Sequence, residues 1–249
     1  MTTRMLHISD VHFGVEDGPA LDAVAAILSK ERPDVVLCTG DITQRAKHSE
    51  YASAAKWFES LGAPVVLQAG NHDMPYYNLW ERFTDPYRRF HDLNEKIGSA
   101  FDSEDVVLVP LVTTVRIQPR FPWSDGYVRT RPLDRTLARL RQLEGDPRTK
   151  VVICHHPLLG ASNAERNPTI GGDDAFAAIA AAGADAVLSG HVHIPFDQIR
   201  EREGQQMRMI GVGTISTRLR RGFPPSCHML TCGARGKIAV EQFVLGAES

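Results

Sequence analysis

Residues 65–73 read Val65-Val66-Leu67-Gln68-Ala69-Gly70-Asn71-His72-Asp73: a short apolar run, a glycine, then a cluster of side chains able to hold a metal. The same form recurs along the chain. Residues 5–9 lead into Asp10-Val11-His12, residues 35–39 into Gly40-Asp41, and residues 150–154 into His155-His156-Pro157. Residues 186–189 lead into Gly190-His191-Val192-His193. Each run is short and largely apolar, and residues 150–154 are mostly β-branched, so each reads as a buried strand. Between the first three lie stretches with helical spacing. Leu21, Val24 and Leu28 share one face of residues 21–30, and residues 49–60 are stopped by Gly62 and Pro64. Crossovers of that length permit parallel pairing, so the alternation points to an α/β fold. Ligands bind beyond the carboxyl ends of the strands in an open α/β sheet. The five runs therefore deliver carboxylates, imidazoles and an amide to one edge.

The rest of the chain is less regular. Residues 74–96 are rich in aromatics and arginine, with helix interrupted at Pro75 and Pro86. Residues 106–109 and 112–117 read as further strands, and residues 118–132 as a proline-rich loop. Helices are expected over residues 133–143, with Asp134 in the first turn, and over residues 173–182. From residue 196 onward the pattern is that of hairpins. The early half favours a parallel sheet and the late half an antiparallel one. No repeat, low-complexity tract or linker interrupts residues 1–249, so one domain is expected.

Composition narrows the function. The chain has 249 residues, 43% hydrophobic and 23% charged, as in ordinary globular proteins. The formal charge is −2, which gives no electrostatic reason to expect nucleic acid or a membrane surface. Four cysteines make no disulfide framework at this length. The first residues reach Asp10 without an apolar signal, and no run is long enough to span a bilayer. A cytoplasmic protein with reduced thiols is the expectation.

The collected ligand types set the chemistry. Asp and His together suit Mn, Fe, Zn or Co. Asp10, His12, Asp41, Asn71, His155, His191 and His193 are too many for one tetrahedral site, but they suit two ions sharing a carboxylate. Paired ions about 3.5–4 Å apart clamp the attacking and leaving oxygens of a phosphoryl displacement. Taken singly, each piece has a plainer reading: Gly-Asp is a common turn, and Asn71 suits a left-handed turn position. Their order, each directly after a strand, is the specific signal.

That ordered series resembles the calcineurin-like metallophosphoesterase superfamily. The resemblance implies a four-layer α/β/β/α sandwich with a dinuclear metal site at the carboxyl edge of the strands. It implies that one ion takes Asp10, His12, Asp41 and His193, and the other Asp41, Asn71, His155 and His191. His155 is preferred over His156 because it follows the strand directly. The implied reaction is attack by a metal-bound hydroxide on a phosphate ester. His72 would bind a phosphate oxygen or protonate the leaving alkoxide, and Asp73 would orient it. One departure stands out: many members carry an acid three residues after the bridging aspartate, where this chain has Gln44.

Within the superfamily the chain looks most like bacterial cyclic-AMP and glycerophosphodiester phosphodiesterases, implying a small-molecule phosphodiester substrate. Tyr76, Tyr77, Trp80 and Trp123 either stack on a base or pack the core or a subunit contact. Arg82, Arg88, Arg89, Arg116, Arg120, Arg129 and Arg131 either contact phosphate or form a solvated face. His7, His48, His91 and His228 read as structural or surface residues. A nuclease would need a basic tracking surface. A nucleotide-lipid pyrophosphohydrolase would need an apolar membrane-facing insertion. A phosphomonoesterase of the same fold stays open, as does a homo-oligomer. A binding scaffold without catalysis conflicts with the full set of presumed ligands.

Overall fold

A computed structural model of the chain describes residues 2–99, 101, 103–118, 121–160 and 167–246. Strand β1 is Thr3–Ile8, followed by α1 (Gly18–Glu31), β2 (Val35–Cys38), α2 (His48–Ser60) and β3 (Val65–Leu67). A 3-10 turn, Asn71–Asp73, precedes α3 (Leu79–Thr84) and α4 (Arg88–Ile97). Next come β4 (Val106–Pro110), β5 (Gly126–Tyr127), α5 (Thr130–Gln142), β6 (Thr149–Ile153), β7 (Thr169–Ile170), α6 (Gly172–Ala181) and β8 (Ala186–Ser189). Strands β9 (Phe196–Arg202), β10 (Gln205–Gly211), β11 (Ser226–Cys232) and β12 (Ile238–Val244) close the chain.

These strands form two five-stranded sheets, ordered β12-β11-β1-β2-β3 and β4-β6-β8-β10-β9, and a small β5-β7 ribbon. Alternation along each strand sorts the side chains into three apolar layers. Leu6, Ile8 and Val36 face α1, α2 and α4, where they meet Val24, Phe58 and Leu93. Val152 and Val187 face α5 and α6, where they meet Leu140, Phe176 and Ile179. Met5, Leu37, Val151, Leu188 and Ile210 fill the space between the sheets. The stacking is helix, sheet, sheet, helix, the four-layer α/β/β/α sandwich. Each fully buried large side chain, such as Phe58 or Phe176, contributes about 1.5–3 kcal/mol.

Three expectations change. The five ligand-bearing runs belong to two sheets, not one: β1, β2 and β3 lie in the first, β6 and β8 in the second. The late strands do not make an antiparallel sheet of their own. Strand β11 joins β1 antiparallel, whereas β10 runs parallel to β8 and carries β9 on its outer edge. Residues 112–117 form no strand, because Thr113 and Thr114 are engaged elsewhere: their hydroxyls meet the His156 ring and the Tyr87 hydroxyl.

Local chemistry accounts for the helix ends. Asp17 caps α1 by accepting from the Ala20 N–H at 3.0 Å, the usual role of Asp at an N-cap. The buried Glu50 carboxylate accepts from the Arg45 and Lys47 N–H groups just ahead of α2. Between α3 and α4 the buried Glu81 pairs with both Arg88 and Arg89. Those two guanidiniums therefore brace the fold, and the phosphate reading does not apply to them. Arg120 lies outside the described residues. All four cysteines are free and buried. His7 and His228 face each other across β1 and β11, and the His7 Nε2 meets the Thr39 hydroxyl at 3.0 Å. His48 and His91 are exposed. Among the described residues no helix is long and apolar enough to cross a membrane.

Candidate metal centre

The loops after β1, β2, β3, β6 and β8 converge where the carboxyl ends of the two sheets meet. Asp10 Oδ1 lies 3.0 Å from His193 Nε2 and 3.7 Å from His12 Nε2. His12 Nε2 and His193 Nε2 face each other at 3.4 Å. On the other side Asp41 Oδ2 lies 3.4 Å from His155 Nε2, which in turn is 3.2 Å from Asn71 Oδ1. The His191 ring packs against His155 with centroids 5.2 Å apart. Asp41 Oδ2 is also 3.7 Å from His12 Nε2. Asp41 thus joins the two halves.

Two of the imidazoles are aimed by their other nitrogen. His155 Nδ1 donates to the Thr39 carbonyl at 2.9 Å, and His193 Nδ1 to the Arg218 carbonyl at 2.6 Å. A carbonyl only accepts, so each of these rings turns Nε2 toward the carboxylates, the arrangement of metal-binding histidines. His156 also lies within ligand distance of His155 and His191. Both of its ring nitrogens are engaged, however, by the Thr113 hydroxyl at 2.9 Å and the Ser124 carbonyl at 3.0 Å.

The backbone is strained here. Of nine non-glycine residues with positive φ among those described, five are Asp10, His12, Asp41, His191 and His193. Such a conformation costs on the order of 1–3 kcal/mol per residue and persists where the surroundings over-determine it. Two motif glycines permit the close approach of the loops. A Cβ at Gly70 would overlap the Asp41 backbone and carboxylate, and one at Gly190 would overlap Ser9 and crowd the Asp10 carboxylate.

The electrostatics suit a cation. Asp10, His12, Asp41, His155 and His193 are buried. Burial opposes ionisation of Asp10, but His193 beside it holds the carboxyl well below its usual range. Asp41 is likewise held low against burial, by His155 and His72. His155 resists burial and is pulled up to about 9 by Asp41. His12 is pushed down to about 3 by burial, and His191 to about 3 by burial and by His155. Without metal, then, Asp41 and Asp10 draw protons toward His155 and, against burial, toward His193, while His12 and His191 are neutral. Metal ions would replace those protons. Facing ring nitrogens and carboxylates, all oxygen and nitrogen donors, fit borderline divalent ions. Asp41 belongs to two of the candidate groups, with Asp10 and His155 and with His12 and His72.

Two residues depart from expectation. Asp73 does not meet the His72 ring. Its buried carboxylate accepts from the N–H groups of Gly70, Ile42 and Thr43 and from the Thr43 hydroxyl. It ties the β2 loop to the β3 loop, and burial with the nearby Asp41 pushes it up to about 6. The His72 ring is oriented instead by the Gln44 carbonyl, which accepts from Nδ1 at 2.7 Å. The second residue is Arg218, on the loop after β10. Its Nη1 lies 3.0 Å from His72 Nε2, 3.2 Å from His12 Nε2 and 3.4 Å from Gln44 Oε1. The hairpin of β9 and β10 is present as read, but the parallel pairing of β10 with β8, which carries this loop to the site, was not read. The signal was the form shared with the other five loops: an apolar run, then Gly213-Thr214-Ile215-Ser216-Thr217-Arg218.

Of the candidate selectivity residues, Tyr76, Tyr77, Trp80 and Trp123 are 64%, 65%, 77% and 66% exposed. Core packing is therefore not their role. Arg82 and Arg116 cross-brace α3 and the 111–118 segment by donating to the Arg116 and Phe83 carbonyls. Arg129 and Arg131 are exposed.

Known proteins are similar to this chain. A probable cyclic nucleotide phosphodiesterase of Synechococcus is 29% identical over 212 residues, covering 80% of this chain and 77% of the relative. A glycerophosphodiester phosphodiesterase of Enterobacter lignolyticus is 29% identical over 182 residues, 66% of this chain and 60% of that one. The crystal structure of a dimetal phosphatase from Danio rerio matches the fold with a TM-score of 0.57 at 11% identity, covering 98% of this chain and 99% of that chain. The model of the calcineurin-like phosphoesterases matches residues 3–195, a span that holds every residue of the converging cluster except Arg218, and the chain belongs to that family.

Proposed function

We propose that the chain is a metal-dependent phosphodiesterase acting on small organic phosphodiesters. The observation that carries this reading is the convergence of Asp10, His12, Asp41, Asn71, His155, His191 and His193, five of them buried, with Asp41 common to both halves. Asp10, His12, Asp41 and His193 would hold one ion, and Asp41, Asn71, His155 and His191 the other. Bound ions of the Mn, Fe, Zn or Co type supply Lewis acidity, lowering the pKa of water and offsetting phosphoryl charge. The chain's own groups do the rest. With Nδ1 committed to the Gln44 carbonyl, His72 acts through Nε2, as contact to a phosphoryl oxygen and proton donor to the leaving alkoxide. Arg218, beside that nitrogen, grips a second phosphoryl oxygen. Gln44 leaves the guanidinium unneutralised where an acid would pair with it.

The exposed aromatics Tyr76, Tyr77, Trp80 and Trp123 suit the organic substituents of a diester, each stacking contact contributing about 1–3 kcal/mol. This favours diesters over monoesters. A panel of bis-p-nitrophenyl phosphate, p-nitrophenyl phosphate, cyclic AMP and glycerophosphodiesters, assayed with metal-reconstituted protein, tests it. Diesters are expected to exceed the monoester in kcat/KM by about tenfold or more, the weight of one such contact. A clear monoester preference would refute the diesterase reading and leave the metal centre intact.

Arg218→Ala should retain its metal and lose about 10- to 100-fold in kcat/KM, the share of a charge-assisted phosphate contact. Arg218→Lys should recover little, because an ammonium lacks the planar fork. Wild-type kinetics in Arg218→Ala would remove the residue from substrate binding.

A further inference from the structure

A second cavity, of about 650 Å³, opens between the α3–α4 segment, the 111–118 stretch and the start of α5. That volume lies within the range of ligand pockets, about 300–1,000 Å³. One wall is apolar and aromatic: Phe83, Tyr87 and Phe90, faced by Val112 and Ile117. The polar side is cationic: Arg116, Arg129 and Arg135. No aspartate or glutamate lines it, and among the described residues no carboxylate forms an ion pair with any of the three arginines. Arg116 spends one nitrogen on the Phe83 carbonyl. The Tyr87 hydroxyl is taken by Thr114. Like charges gathered at one mouth repel unless an anion joins them. Guanidiniums with free donors are suited to carboxylates, sulfonates and phosphates.

The cavity contains none of the residues of the metal centre, though it adjoins them. Gln68 and Ala69 line it and run directly into Gly70 and Asn71. We propose that this cavity is a separate binding site for an organic monoanion with a flat apolar body, the body lying against Phe83, Tyr87 and Phe90 and the anionic group meeting Arg116, Arg129 and Arg135. Nothing in this assignment needs the metal ions or the diesterase reading.

Two dyes of nearly the same shape test it on the intact chain. 1-Anilinonaphthalene-8-sulfonate carries an anionic group, and N-phenyl-1-naphthylamine is its neutral counterpart. By fluorescence titration the anion is expected to bind at one site per chain, about tenfold or more tighter than the neutral dye, the weight of one charge-assisted contact. Arg129→Glu with Arg135→Glu should abolish that preference without weakening the neutral dye. Val112→Trp, which fills the cavity from a 43% exposed position, should weaken both. Chelating the metals should leave the anion's affinity unchanged. Equal affinity for the two dyes would overturn the proposal, as would a signal that survives Val112→Trp. Loss of the signal on chelation would also overturn it, by placing the anion at the metal centre.

Discussion

Asp41→Asn is expected to leave fewer than two ions per chain and to lower kcat/KM by about 10³-fold or more, since a bound ion contributes several kcal/mol to such a reaction. In the proposed centre one carboxylate serves two sites. Its Oδ2 lies 3.7 Å from His12 Nε2 and 3.4 Å from His155 Nε2, so one oxygen faces a histidine of each half of the cluster. An amide oxygen fills the same space but carries no charge to offset two cations. The fold should survive, because the other oxygen only accepts from the His72 N–H at 2.8 Å, and an asparagine carbonyl accepts equally well. Elemental analysis beside a thermal unfolding curve separates the cases. An intact fold with depleted metal supports the shared carboxylate. Two ions per chain in Asp41→Asn would exclude it.

The second large effect is expected at His72. His72→Ala should keep both ions and lose about 10²–10⁴ in turnover, the share of a positioned proton-transfer group. The loss should depend on the leaving group. A nitrophenolate leaves without a proton, so bis-p-nitrophenyl phosphate should be hydrolysed with a smaller deficit than a glycerophosphodiester, whose alkoxide needs one. The geometry supplies the asymmetry. Nδ1 is held by the Gln44 carbonyl, and Nε2 lies beside Arg218 at the edge of the cluster. Unchanged turnover on the glycerophosphodiester would refute the role. An equal deficit on both substrates would point to phosphate binding alone.

Much of the site was legible because its signals are local. A buried strand is apolar for a few residues, and the loop that follows it is read directly. Asp10, His12, Asp41, Asn71, His155, His191 and His193 all sit within a few residues of such a run. What was hidden depends on contacts distant in sequence. Nothing in residues 205–211 says whether β10 pairs parallel or antiparallel with β8. Only its parallel pairing brings Arg218 to the same edge as His72, 146 positions away. The two sheets were implied by the resemblance, but which strand joins which sheet was hidden for the same reason. The strand expected over residues 112–117 failed because Val112 and Ile117 are exposed while Thr113 and Thr114 serve other segments. Asp73 was read as a partner of the neighbouring His72, but buried backbone donors on the β2 loop claimed its carboxylate first. A buried carboxylate is stable only when such donors reach it, and which donors reach it is decided by the fold.

The central claim is that the strand-end cluster holds two ions joined through Asp41. The most direct measurement is an anomalous diffraction map of the metal-reconstituted protein, collected at the absorption edge of the added element. Two peaks are expected about 3.5–4 Å apart, one against Asp10, His12 and His193, the other against Asn71, His155 and His191, with Asp41 touching both. A single peak, or two peaks with Asp41 reaching only one, would contradict the account.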